Sequence, residues 1–173
     1  MLLVDFSKPS ESARWRATDD VVMGGLSSSA MLAGDGVGVF LGTVSLERGG
    51  GFASVRRADE AFDLSARDAI ELRVRGDGRR YKLNLRTSNL FDGSVFQAAF
   101  ATQPGTLLTV ELPLANFTPR FRGRPADATL DPSRVCSLGL LISDRQAGPF
   151  RLEVWSIAAV GRGADAPAGS REK

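Results

Sequence analysis

Asp19 and Asp20 stand side by side ahead of Met23, a Gly24-Gly25 pair and the run Ser27-Ser28-Ser29. Two carboxylates beside a flexible turn and a row of hydroxyls are the parts of an acid–base pair or of a loop that grips a ligand. A third acid, Asp77, lies in Gly76-Asp77-Gly78-Arg79-Arg80-Tyr81. Glycoside hydrolysis would require two of these carboxylates to face each other across a cleft, a separation that the sequence does not give. The same residues also suit a purely structural loop, with Trp15 plugging the core and the glycines supplying positive φ.

The chain contains no histidine. That removes the commonest general base and the commonest metal ligand, and with them Ser-His-Asp and Cys-His hydrolysis and His-ligated zinc or iron. Cys136 is the single cysteine, so no intramolecular disulfide forms, and its apolar neighbours mark it as a small buried hydrophobe rather than a nucleophile. Gly49-Gly50-Gly51 and Gly76-Asp77-Gly78 open no helix and carry no Gly-Lys-Ser/Thr ending, so neither is a phosphate loop. Asp5, Asp131 and Glu153 are the scattered acids that a structural calcium would use, but their spacing matches no EF-hand. No catalytic residue, metal or cofactor is expected, and the chain reads as a binding protein rather than an enzyme.

Arginine supplies the other candidate chemistry, because its guanidinium grips carboxylates and hydroxylated partners with paired hydrogen bonds. Arg73, Arg75, Lys82, Asn84 and Arg86 share the outward parity of two alternating segments joined by Gly76-Asp77-Gly78. Read as a hairpin, these segments form one polar, basic strip. Phe117-Thr118-Pro119-Arg120-Phe121-Arg122-Gly123-Arg124-Pro125 alternates Arg and Phe between prolines and reads as extended and exposed. The total of 22 Lys+Arg against 20 Asp+Glu leaves a net charge of only +2. The two signs are interspersed, which argues against a nucleic-acid-binding stripe. No apolar run is long enough to span a bilayer and the N-terminus resembles no leader, so a cytoplasmic protein is expected.

The elements that must position these residues are strands. Val37–Leu46, Phe52–Arg56, Ile70–Arg75, Tyr81–Arg86, Val95–Thr102, Leu107–Leu112, Val135–Ser143 and a last strand through Phe150, Leu152 and Val154 are separated by turn signals at short intervals. The nearly continuous apolar run 135–143 predicts a central strand. Asp63–Asp68 and Asp131–Arg134 each suit a short Asp-capped turn. Eight or nine strands predict an all-β, two-sheet antiparallel jelly-roll sandwich as one domain over residues 1–160. The small, polar stretch 161–173 predicts a disordered tail.

The order of motifs resembles one family. The segments that carry the resemblance are Trp15, Asp20-Val21-Val22-Met23-Gly24-Gly25-Leu26-Ser27, Phe40-Leu41-Gly42-Thr43-Val44-Ser45, Gly50-Gly51-Phe52-Ala53-Ser54-Val55-Arg56, Arg75-Gly76-Asp77-Gly78-Arg79-Arg80-Tyr81, Phe117–Gly123 and Leu138–Phe150. In this order they are similar to the complex I intermediate-associated protein 30 family, over about Trp15 to Ile157. The resemblance implies a galactose-binding-like sandwich and a non-enzymatic role as an assembly factor, chaperone or interaction module, with an oxidoreductase subunit as the partner. The Arg-, Ala- and Gly-rich composition suggests a bacterial member.

Two functional readings follow. In the first, the chain docks a protein through the loop Asp19, Asp20, Met23, Gly24, Gly25 and Ser27, through Arg75, Asp77, Arg79 and Tyr81, and through Arg120, Arg122 and Arg124. In the second, it binds a carbohydrate or small polar ligand on the polar sheet face, with Arg73, Arg75, Asn84 and Arg86 as lining beside Trp15 or Trp155.

Overall fold

A computed structural model describes residues 1–89 and 93–161. The predicted tail, apart from Gly161, lies outside the described residues. Thirteen strands follow one another along the chain. They are β1 (Leu2–Asp5), β2 (Trp15–Ala17), β3 (Ser28–Gly34), β4 (Val37–Val44), β5 (Ala53–Arg57), β6 (Ala69–Arg75) and β7 (Arg80–Arg86), then β8 (Val95–Ala101), β9 (Leu107–Pro113), β10 (Thr118–Phe121), β11 (Arg124–Pro125), β12 (Ser137–Ile142) and β13 (Gly148–Val160). All strand pairs are antiparallel. One sheet runs β3-β4-β13-β6-β9, with β1 also paired to β13. The other runs β11-β10-β8-β7-β12-β5-β2. The result is the antiparallel β-sandwich that the alternation predicts.

The core lies between the sheets. Ile70, Leu72 and Val74 of β6 face Tyr81, Leu83 and Leu85 of β7 across it, and all six are fully buried. Tyr81 packs edge-on to Phe40 and Phe150 and stacks near Phe100. Residues at every second position of a strand share a face, so this inward set leaves Arg73, Arg75, Lys82, Asn84 and Arg86 outside. β12 is buried at every residue and sits between β7 and β5, the central place expected of it. Asp131 accepts a hydrogen bond from the Ser133 backbone N–H and caps a single 3₁₀ turn, Pro132–Arg134, as its sequence predicts.

One expectation fails. β6 and β7 are not a hairpin: β6 pairs with β13 and β9, whereas β7 pairs with β12 and β8. Gly76-Asp77-Gly78 is an arch that carries the chain from one sheet to the other. Alternation fixes which face of a strand is buried but not its partner. Two strands with opposed inward faces satisfy the pattern across the core as well as beside each other. The strand count also exceeds the expected eight or nine: the short strands β1, β2, β10 and β11 lack room for a legible period, and the seven-residue β3 buries only Met31 and so shows no alternation.

Candidate functional site

The loop after β2 is built inward rather than toward a ligand. Asp20 is 1% exposed. Its Oδ1 accepts the Ser27 backbone N–H at 2.9 Å, and its Oδ2 accepts the Ser27 hydroxyl at 2.6 Å and the Gly51 and Phe52 N–H groups at 2.8 and 3.3 Å. Burial alone would raise the pKa of this carboxyl, but the four donors outweigh it and hold the group below the ordinary carboxylate value. Asp19 accepts the N–H and hydroxyl of Ser29 and the N–H of Ser54. A Cβ on Gly25 would lie 2.5 Å from the Asp20 carboxyl carbon, and one on Gly50 would lie 2.7 Å from Oδ2. Those two glycines therefore allow the close approach that the clasp requires, while Gly24 closes the 3₁₀ turn Asp20–Met23 in the left-handed region at φ 86°. Asp19, Asp20 and Ser27 act as structural clasps, their side-chain oxygens engaged within the fold. Of the loop's predicted carriers, Met23 alone extends an apolar side chain into solvent, 70% exposed, beside exposed Val21 and Leu26.

The arch is likewise a joint. The Asp77 carboxylate accepts the Arg79 N–H at 3.1 Å, the Tyr81 hydroxyl at 2.9 Å and the Arg151 N–H at 2.8 Å. It thereby ties β7 of one sheet to β13 of the other. Burial raises the Tyr81 pKa, with the Asp77 charge adding to the effect, so the phenol stays protonated and donates. Arg79 bends back to Asp77 and toward the Ala147 carbonyl. These contacts tether the arch to both sheets.

The predicted basic strip is split between opposite faces of the molecule. Arg73 and Arg75 lie on the outer face of the first sheet. There Arg75 donates to Glu153 at 2.6 Å and lies over the Trp155 ring at 5.1 Å. Asn84 and Arg86 lie on the outer face of the second sheet. Trp15 is core, 7% exposed, and its indole N–H donates to buried Glu11. The combination of Arg73, Arg75 and Trp15 with Asn84 and Arg86 as one lining is therefore wrong. The three acids imagined around a calcium ion are also separate: Asp5 caps Ser7, Asp131 caps Ser133, and Glu153 takes Arg75 and Arg151.

Sequence and structure converge on the outer face of the second sheet. Register sets two neighbouring rows of outward side chains. One runs Arg56, Gly139, Asn84, Gln97, Thr118 across β5, β12, β7, β8 and β10. The next holds Ser137 and Arg86, paired across β12 and β7, and Val95 and Arg120, paired across β8 and β10. The hairpin β10–β11 stands along one side, turning through Arg122 (φ 49°) and Gly123 (φ 75°). Together these elements bound a groove of about 740 Å³ that includes Arg120, Phe121 and Arg122. The structure thus brings four predicted residues together, Asn84, Arg86, Arg120 and Arg122, and leaves Arg124 exposed on the hairpin's far strand.

The groove is charged and incompletely paired. Among the described residues, five cationic side chains line it, Arg56, Lys82, Arg86, Arg120 and Arg122, against the single carboxylate of Asp144. Lys82 is paired with Asp144 at 3.1 Å and Arg56 with Asp59 at 2.8 Å. Burial, then the neighbouring Arg56 charge, push the Arg86 guanidinium below its ordinary pKa. Asn84 Oδ1 is buried without a hydrogen-bond donor among the described residues. Arg56 and Gln97 enter the site without standing out in the sequence; their one signal is outward parity on strands whose other face is core. Cys136 is half-buried, and burial raises its thiol pKa, which suits the inert reading. No helix among the described residues is long and apolar enough to cross a membrane.

Comparison with known proteins gives a consistent result. The family described as Complex I intermediate-associated protein 30 matches residues 4–154. Mitochondrial proteins of that name from Drosophila melanogaster and Mus musculus are 26% and 28% identical over 88% and 86% of this chain. The chain spans 60% and 52% of their respective lengths. Among solved structures, the family 11 carbohydrate-binding module of the cellulase Lic26A-Cel5E of Clostridium thermocellum superposes with a TM-score of 0.69. Sequence identity is 16%, over 93% of this chain and 94% of the module. A structure of a family 11 module from that organism, in complex with a mixed-linked tetrasaccharide, gives a TM-score of 0.64 at 16% identity, over 86% and 89% of the two chains. At such identities the likeness concerns the sandwich fold.

Proposed function

The chain belongs to the complex I intermediate-associated protein 30 family, and from that premise we propose that it is a non-enzymatic protein-binding module that assists assembly of a respiratory oxidoreductase. The observation that supports a docking role is the hairpin β10–β11. It presents Arg120, Phe121, Arg122 and Arg124 at one edge of the second sheet, with the Arg122 guanidinium 5.2 Å over the Phe121 ring. Arginine and aromatic residues are enriched at protein interfaces, and a guanidinium held on a ring is already partly ordered before a partner arrives. A non-catalytic role agrees with the clasped state of Asp19, Asp20 and Asp77. Each acid is engaged by neighbouring donors, and no histidine stands by to move a proton.

The test is affinity capture from the source cells, comparing the native chain with the double variant Arg120→Glu, Arg122→Glu after equal thermal midpoints have been verified. Subunits of NADH:ubiquinone oxidoreductase should be enriched on the native chain and lost from the variant. Equal recovery on both, or no enrichment on either, overturns the reading.

A second reading has its own observation. The groove beside the hairpin has the size of a small-molecule site, for which about 300–1,000 Å³ is typical. It also holds the Asn84 Oδ1 atom, a buried acceptor without a donor among the described residues. On this reading the chain carries a polar ligand on the outer face of the second sheet.

A further inference from the structure

We propose that the groove on the outer face of the second sheet binds a small polyhydroxylated anion, a molecule with a carboxylate or phosphate next to hydroxyl groups. This deepens the ligand-binding reading given above and rests on it.

Charge comes first. The whole chain carries a net +2, yet among the described residues the groove gathers five cations around one carboxylate. Lys82 and Arg56 are neutralised by Asp144 and Asp59. Arg86 and Arg120 make no ion pair with the described residues, and they flank Val95 on neighbouring strands. Burying a guanidinium without a counter-ion is unfavourable, and an anion lying over Val95 would relieve it with paired hydrogen bonds.

The second requirement is a donor. Asn84 sits one row away from Arg86 on the same strand, and its buried Oδ1 accepts nothing. A ligand that only accepts hydrogen bonds would leave this atom unsatisfied, whereas a hydroxyl beside the anion meets it. Gln97, directly opposite Asn84, adds a donor and an acceptor to the same row.

A neutral sugar is a poorer fit. Neutral rings are commonly held against aromatic faces, but Trp15 and Tyr81 are core and Trp155 lies beneath Arg75 on the opposite sheet. Phe52 and Phe121 are the only aromatic residues lining the groove among the described residues, and Phe121 already carries Arg122. What the groove offers in quantity is positive charge.

Isothermal titration of the full chain tests this with trigalacturonate as the carboxylate source, glucose 6-phosphate as the phosphate source, cellotriose as the neutral control and tetraglutamate as the acidic peptide. One of the two anionic sugars should bind about tenfold or more tightly than cellotriose, as expected for one charge-assisted contact. Which of them binds identifies the anion. Arg86→Gln should lose that preference with its thermal midpoint unchanged or raised, since an unpaired buried charge is removed. Asn84→Leu should weaken the anionic sugar several-fold while leaving binding of inorganic phosphate as it was. If cellotriose binds as tightly as either acid and Arg86→Gln changes nothing, the anion inference falls while the ligand-binding reading stands. If tetraglutamate alone binds, the site is a peptide groove and the inference falls. If no probe binds, both readings fall.

Discussion

Replacing Asp20 by Asn changes one atom of the clasp and preserves its shape. The four donors around the carboxylate make a substitution without loss impossible. If the amide oxygen takes the Oδ2 place it keeps the Ser27 hydroxyl and the Gly51 and Phe52 N–H groups, and the amide NH₂ then faces the Ser27 N–H at 2.9 Å. The flipped amide fares worse, because its NH₂ then meets the Gly51 and Phe52 N–H donors and only the Ser27 hydroxyl can turn to accept it. Even the better arrangement loses a hydrogen bond to a charged acceptor, roughly 1.5–3 kcal/mol, and leaves a buried donor unmet, roughly 1–3 kcal/mol. The two are not fully additive, so about 3–4 kcal/mol is expected, which at about 2–4 °C per kcal/mol for a chain of this size lowers the melting midpoint by about 6–16 °C at neutral pH. The pH dependence carries a sign. Asp20 is held below its ordinary value of 3.8 in the folded state. Its contribution is therefore complete above that value and fades as pH falls through the depressed folded pKa. The gap between native chain and Asp20→Asn should be largest near pH 7, persist at pH 5 and close toward pH 3 and below. Thermal unfolding followed by circular dichroism across that series reads it directly. Midpoints within about 2 °C of each other at pH 7, or a gap that stays constant down to pH 3, would refute the clasp.

Gly25→Ala should act on the same clasp by crowding: a Cβ placed 2.5 Å from the Asp20 carboxyl carbon forces a shift that costs about 1–3 kcal/mol, measurable as a lower urea midpoint with an unchanged slope. Glu11→Gln tests the other buried charge. Arg57, 4% exposed, donates to Glu11 at 2.6 and 3.1 Å. Removing the charge should destabilise by about 3–5 kcal/mol, because Arg57 keeps only Glu60 as its counter-ion. A urea midpoint equal to that of the native chain would contradict it.

The sandwich is legible in the sequence because alternation over Ile70–Val74 and Tyr81–Leu85 marks two inward faces, and because a strand with no polar parity, residues 137–142, has to be central. The partner of each strand is not legible. An arch and a hairpin both require Gly and Asp at a tight turn, and the difference lies in what Asp77 reaches: the Arg151 N–H, 74 residues away in the other sheet. Asp20 shows the same limit. Its sequence neighbours mark a loop, but the side chain's inward direction depends on Gly51 and Phe52, brought back more than thirty residues later. The basic groove was half legible, since outward parity names Asn84 and Arg86. Its other walls come from β5, β8 and β10, whose adjacency to β7 and β12 arises only from the topology.

The motifs that carry the family resemblance turn out to be the fold's joints. Asp20, Gly25 and Ser27 lock the first loop to the segment after β4, while Asp77 and Tyr81 lock the two sheets together. Each joint constrains several residue types at once, since a buried carboxylate needs its donors and the donors need glycine to come close. The sandwich depends on such constellations, and that dependence makes them poor places to look for a partner. The outward positions of β5, β7, β8 and β10 carry no such constraint. A face on which Arg86 and Asn84 are held partly buried and left without a partner among the described residues is not needed for folding, and it weakens the fold by the desolvation it imposes. Stability gives no reason for Arg86 to sit where Gln or Thr would serve better, and the proposed ligand accounts for it by supplying what the fold withholds. The absence of histidine fits this division: the joints work by fixed hydrogen bonds, the groove works by guanidinium charge that persists at any physiological pH, and neither has to move a proton.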